Sequence, residues 1–214
     1  MRPHFFLSII IVTLCLIYQN LNDTKHIIRA YSFAAAKHNG QVRKNIFSTP
    51  YINHPIEVTQ LLSDAGIIDD DILIAGLLHD TIEDTDTTPE QIENSFGKRV
   101  LEMVLECSHN TALDKINQRK FQLNNMKNIS YGSKLIKMAD GYSNLSELLN
   151  YPPINWSQEK INGYKIFLYA RYCETANVNS HFDKIYTDLF NKHNISVKNK
   201  NDLDDKLENY YKNL

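Results

Sequence analysis

Seven consecutive apolar residues, Ile72-Leu73-Ile74-Ala75-Gly76-Leu77-Leu78, run directly into the most polar pair of their region, His79-Asp80. Asp69, Asp70 and Asp71 precede the run, and negative charge at that position suits the start of a helix. A helix that is apolar on every side belongs in the middle of a core. It therefore needs other helices packed around it. It also carries a histidine and an aspartate to the mouth of the most buried element, which is the placement a metal site inside a helical bundle requires.

The flanking sequence meets that demand. Ile27, Tyr31, Ala34 and His38 share one helical face, and a polar loop from Asn39 to Thr49 follows, carrying Arg43 and Lys44. Pro55 suits the first turn of a second helix and Gly66 the position after its end, with Val58, Leu61, Leu62 and Ala65 as the apolar stripe. Thr88-Pro89-Glu90-Gln91 reads as a capped helix start, and Gly97 as its stop. Val100, Leu101, Val104 and Leu105 mark a further helix, and Lys115 to Lys127 a basic amphipathic one. Ser133 opens a long helix with Leu135, Ile136, Ala139, Tyr142, Leu145 and Leu149 inside; Pro152-Pro153 breaks it and another begins near Ser157. No strand alternation and no internal repeat is visible. The expected class is all-α, a helical bundle. Seven glycines and six prolines in 214 residues agree with it, because hairpin-rich sheets want more turn residues.

Residues 1–22 are set apart from this domain. Phe5 to Tyr18 is apolar except for Ser8 and Thr13. That is short for a membrane span of about 20 residues. It resembles the core of a secretory signal, without a small-x-small cleavage site after it. A signal or anchor, a helix docked on the domain, and a start placed upstream of the true one all fit. Membrane contact is expected only through residues 5–18. Residues 196–214 read as a polar C-terminal tail, or as a loosely held helix. Cys15, Cys107 and Cys173 are too widely spaced for a zinc pattern and odd in number, so they are expected to be free thiols. A formal net charge of -2 gives no case for nucleic-acid binding, but a local basic pocket can still hold a small anion. No oligomeric state is implied.

The candidate chemistry lies at helix ends. Divalent ions of intermediate hardness take imidazole nitrogen and carboxylate oxygen. His54 stands at the start of the second helix, His79-Asp80 at the end of the third, and Asp140 among apolar neighbours in the long helix. A buried carboxylate needs a partner, and a cation shared with His79-Asp80 supplies one. Glu83 and Asp84 follow by one turn. Glu83 is four residues after His79 and shares its face if the helix continues; a carboxylate so placed can serve as general acid or base. Asn144 shares the face of Asp140. Arg43, Lys44, Lys137 and the Lys115/Arg119/Lys120 stretch are the candidate phosphate contacts. Taken singly, each of these reads as an ordinary surface or core residue; the grouping is what points to a site.

Tyr51-Ile52-Asn53-His54-Pro55, His79-Asp80-Thr81-Ile82-Glu83-Asp84-Thr85-Asp86 and Lys137-Met138-Ala139-Asp140 with Asn144-Leu145 look like the HD hydrolase domain of the Rel/SpoT family. Trp156-Ser157 also fits. The chain resembles in particular the small single-domain alarmone hydrolases of animals, over roughly Lys25 to Ile195, within a domain set at 23–195. The resemblance implies an HD-domain helical bundle with one Mn²⁺ held by His54, His79, Asp80 and Asp140. It implies Glu83 and Asp84 as the acidic pair that activates water. It places Arg43, Lys44, Tyr51, Lys137 and Asn144 around a nucleotide. The implied reaction is hydrolysis of guanosine 3′,5′-bis(diphosphate) to GDP, or of its pentaphosphate to GTP, with release of pyrophosphate in the cytoplasm. The same resemblance implies NADPH 2′-phosphate removal as an alternative activity. A silent nucleotide-binding domain is the third reading; retention of every ligand and of the acidic pair argues against it. Two positions depart from the family pattern. Gly141 stands where a basic residue usually follows the aspartate, and Cys107-Ser108-His109-Asn110 replaces an acidic turn.

Overall fold

The apolar run becomes α3 (Asp70–Leu78), capped by Asp69, whose side chain accepts from the Asp71 amide. Ile72, Ile74, Ala75, Gly76, Leu77 and Leu78 are all buried. This is a computed structural model, and it describes residues 24–108 and 112–214. The apolar segment Phe5 to Tyr18, and His109-Asn110, lie outside the described residues.

Around α3 the chain forms α1 over residues 24–37, α2 (Asn53–Asp64), the single turn α4 (Thr81–Asp84), α5 (Pro89–Phe96), α6 (Lys98–Cys107), α7 (Lys115–Asn125), α8 (Tyr131–Asn150), α9 (Gln158–Thr175), α10 (Ser180–Lys192) and α11 (Lys200–Lys212). Among the described residues the only β-type pairing is an isolated bridge between Val42 and Pro50. The all-α expectation holds. Among the same residues no helix is long and apolar enough to cross a membrane.

α3 packs on α2, α6 and α8, and α8 in turn on α9 and α10. The α2–α3 crossing is close because of Gly76. A Cβ there would fall 2.8 Å from Leu62 Cδ1 and 3.2 Å from Thr59 Oγ1. That approach carries the start of α2 and the end of α3, hence His54 and His79, to one end of the bundle. The termini follow local rules. Thr88 and Gln91 form the full capping box of α5 with Pro89 in its first turn. Gly97 at φ 91° separates α5 from α6.

Several sequence expectations shift. The long helix starts at Tyr131 with Ser130 as cap, rather than at Ser133. Tyr31 and Leu105 are solvent-exposed; the inner faces are instead Ala30 and Ala34 on α1 with His38 just after it, and Val100, Leu101, Met103, Val104 and Cys107 on α6. Leu105 extends its stripe by one residue too many, whereas Tyr31 lies inside its stripe beside the buried Ala30. The segment read as a polar tail differs most. α11 packs along α9, with Leu207, Tyr210 and Tyr211 buried in the core. Gly163 lets it approach, since a Cβ there would meet Tyr210 Cδ2 at 2.5 Å. Charged residues outnumber apolar ones along α11, so three buried positions at helical spacing were easy to miss.

Candidate metal centre

α3 stops at His79. Asp80 has φ −99° and ψ −5° and serves as N-cap of the short turn α4, while Thr81 is fully buried and donates to Leu78 O at 2.7 Å. The helix therefore does not run on from His79 to Glu83. The interruption turns Asp80 back beside His79 and sets Glu83 and Asp84 on the cavity wall.

His79 Nδ1 lies 2.8 Å from Gly76 O. A carbonyl only accepts, so Nδ1 carries a proton, and in the neutral ring the lone pair is on Nε2. That Nε2 is buried and, among the described residues, has no hydrogen-bond partner. It faces Asp80 Oδ2 at 3.1 Å and Asp140 Oδ1 at 4.0 Å. His54 Nε2 faces the same two oxygens, at 3.7 Å and 3.3 Å. Potential ligand atoms of His54, His79 and Asp140 all lie within 4.8 Å of one another, and all three residues are buried. An orphaned imidazole nitrogen aimed at two carboxylates is the donor set of a cation site; the residues fit a divalent metal, with Asp80 beside them.

Charge in this cluster is tightly balanced. Burial opposes a charged His79, but the charge of the adjacent Asp80 outweighs it and raises the imidazole to about 9. Burial likewise works against an ionised Asp140, and the Arg171 guanidinium holds the carboxyl well below the ordinary range. Arg171 Nη2 donates to Asp140 Oδ2 at 2.9 Å and to Lys137 O at 3.1 Å. Asn144 Nδ2 donates to the other Asp140 oxygen.

These groups floor an open cavity of about 520 Å³. Its lining includes the expected Arg43, Lys44, Tyr51, Glu83, Asp84, Lys137 and Asn144. Tyr51 Oη donates to Asp80 Oδ2 at 2.6 Å and lies 3.0 Å from Asp84 Oδ2. Gln41 Nε2 holds the turn from the other side, at Asp84 O. Asp84 is raised above the usual carboxylate range by burial and by the charges of Asp80 and Glu83. Lys44 is exposed at the edge. Arg43 is not a solvated loop cation. It pairs with Glu147 at 2.5 Å and donates to Asn144 Oδ1 at 2.7 Å. Lys137 is buried, and its ammonium donates to Cys107 O at the end of α6. Trp156, whose neighbour Ser157 caps α9, also lines the cavity.

Two contributors escaped the sequence reading. Glu147 is one turn beyond Asn144 on α8, and its spacing from Asp140 was a usable signal. Arg171 was not legible, because nothing in α9 relates it to α8. It supplies a cation at Asp140, the neighbourhood where Gly141 lacks one. Gly141 itself has a packing reason: a Cβ there would lie 2.6 Å from Tyr186 Oη, which donates to Met138 O at 2.8 Å.

Residues 30–161 match the HD-domain family model. Human guanosine-3′,5′-bis(diphosphate) 3′-pyrophosphohydrolase MESH1 is 41% identical over 144 residues, covering 67% of this chain and 80% of the human protein. The Drosophila melanogaster protein of the same name is 41% identical over 140 residues, covering 65% of this chain and 77% of its own. The solved structure of a metazoan SpoT orthologue that hydrolyses ppGpp superimposes with a TM-score of 0.78 at 33% identity, covering 80% of this chain and 97% of that one. The chain belongs to the HD-domain family and, within it, to the Rel/SpoT-type hydrolases.

Proposed function

We propose that this protein is a guanosine-3′,5′-bis(diphosphate) 3′-pyrophosphohydrolase. It consumes one water and converts the nucleotide to GDP and pyrophosphate, or the pentaphosphate form to GTP and pyrophosphate. The observation that carries this reading is the orphaned His79 Nε2, turned with His54 Nε2 onto Asp80 and Asp140 beneath a cavity rimmed by an acidic pair and basic side chains. Homology to enzymes named for that reaction supplies the substrate.

The enzyme is metal-dependent, and we assign Mn²⁺ to His54, His79, Asp80 and Asp140. Such a cation supplies charge neutralisation at phosphate oxygens and makes water more acidic. Glu83 or Asp84 takes the proton of the attacking water. Asp84 is suited to this because its affinity for a proton is already raised. Arg43, Lys44 and Lys137 hold the phosphates, and Arg43 is pre-oriented by Glu147. Tyr51 fixes the distance between Asp80 and Asp84, and Asn144 orients Asp140. The domain carrying this chemistry is assigned to residues 23–195. α11 braces it through α9.

Pyrophosphate release from guanosine 3′,5′-bis(diphosphate) by the full chain tests the proposal, with Mn²⁺ and with EDTA, and with NADPH in a parallel reaction. Manganese-dependent release is expected. Phosphate release from NADPH alone would reassign the substrate, and no release from either would overturn the enzymatic reading.

A further inference from the structure

The two imidazoles of the centre are held from behind in different ways. His79 leans on a backbone carbonyl of its own helix. His54 leans on side chains. Its Nδ1 lies 3.0 Å from Ser143 Oγ, and Ser143 Oγ lies 2.8 Å from Glu57 Oε2. Ser143 is buried, whereas Glu57 is exposed. The contacts therefore make a line from the protein surface to the site.

The proton count along that line has one solution. A carboxylate accepts only, and a hydroxyl has one proton to give. Ser143 gives its proton to Glu57, so its oxygen is left to accept from His54 Nδ1–H. The lone pair of His54 then sits on Nε2, which faces Asp140 Oδ1 at 3.3 Å. Without Glu57 the serine proton is free to turn toward Nδ1. That would favour the opposite tautomer, with Nε2 protonated and unable to bind a cation.

We infer that Glu57 and Ser143 are positioning residues that lock the tautomer and ring orientation of His54 for metal capture. The inference rests on the reading of this cluster as a metal centre. Both residues sit one turn from a ligand, Glu57 three positions after His54 on α2 and Ser143 three after Asp140 on α8, so the relay also ties together the two helices that carry those ligands. Partners behind a ligating histidine commonly change metal affinity by about ten- to a hundredfold.

The test is calorimetric Mn²⁺ titration of the metal-stripped full chain, comparing wild type with Ser143→Ala, Glu57→Ala and Glu57→Gln. Thermal unfolding of the stripped proteins runs alongside. Ser143→Ala and Glu57→Ala are expected to bind Mn²⁺ at least about tenfold more weakly at unchanged melting temperature. Glu57→Gln keeps an acceptor for the serine proton and is expected to stay close to wild type. Should Ser143→Ala melt early, the exposed Glu57→Ala decides alone. Wild-type affinity in both alanine variants overturns the relay and leaves the metal centre standing. A wild-type protein that takes up no Mn²⁺ overturns the metal centre itself.

Discussion

The floor of the cavity and its rim are built from different kinds of contact. On the floor, His79 is fixed by Gly76 three residues back, and Asp140 is bonded by Asn144 four residues on. Those two ties each stay within one helix, His54 and Asp140 are held across helices as well, by Ser143 and Arg171, and His54, His79 and Asp140 are buried. On the rim, Arg43 reaches Glu147, a hundred and four residues away, and Tyr51 reaches Asp80 and Asp84. Those ties join the segment before α2 to α4 and α8. A buried floor presents one fixed donor geometry. A rim tied through that segment can be retuned by a single substitution. Losses on the floor are therefore expected to abolish function, and losses on the rim to grade it.

The sharpest way to break that contrast is His79→Ala. Pyrophosphate release is expected to fall to background, and elemental analysis of the purified variant is expected to show substoichiometric Mn²⁺. Substantial turnover in this variant would mean that the floor is not a metal centre. The next largest effect belongs to the acidic pair above it. Glu83→Ala with Asp84→Ala should retain Mn²⁺ and lose about 10²- to 10⁴-fold in turnover, the usual contribution of proton transfer. Loss of metal together with turnover would move the pair from the wall to the floor.

The same contrast explains what the sequence disclosed. His54, His79, Asp80 and Asp140 were readable because each stands at a helix end or inside an apolar stripe, where local rules place a polar side chain against the core. The capping box at Thr88 and the stop at Gly97 were readable for the same reason. Two features were not. Arg171 reaches Asp140 across the α8–α9 contact, a relation that no spacing encodes. α11 hides three core residues among charges, because a short helix held along one face needs only a narrow stripe.

Arg171 tests whether the floor depends on a distant helix. Arg171→Met removes one partner of a buried pair and leaves Asp140 without its guanidinium. About 3–5 kcal/mol of destabilisation is expected for breaking such a pair, read by chemical denaturation of the metal-free protein. Added Mn²⁺ should restore part of it, because the cation gives Asp140 a new partner. On the rim, Glu147→Ala frees Arg43 from its carboxylate. Hydrogen bonds to charged groups contribute about 1.5–3 kcal/mol, so KM is expected to rise about ten- to a hundredfold with kcat nearly unchanged. A change confined to kcat would place Arg43 among the reacting groups instead.

Tyr51→Phe gives the smallest effect and divides the acidic pair. Burial and the charges of Asp80 and Glu83 raise the Asp84 carboxyl, while the hydrogen bond with Tyr51 draws it partly back down. Removing the hydroxyl deletes the lowering contribution, so the Asp84 pKa rises further. A base must be ionised to accept a proton. Activity that depends on Asp84 is therefore present above its pKa and lost as pH falls through it, and the acid limb of kcat/KM should move to higher pH in the variant. Tyr51 also bonds Asp80, which burial would raise but which the neighbouring His79 and His54 hold low; that carboxylate stays ionised across the range where the limb is measured. A limb that does not move would assign the proton to Glu83 and would leave Asp84 as the residue that Tyr51 and Gln41 hold in place to shape the turn.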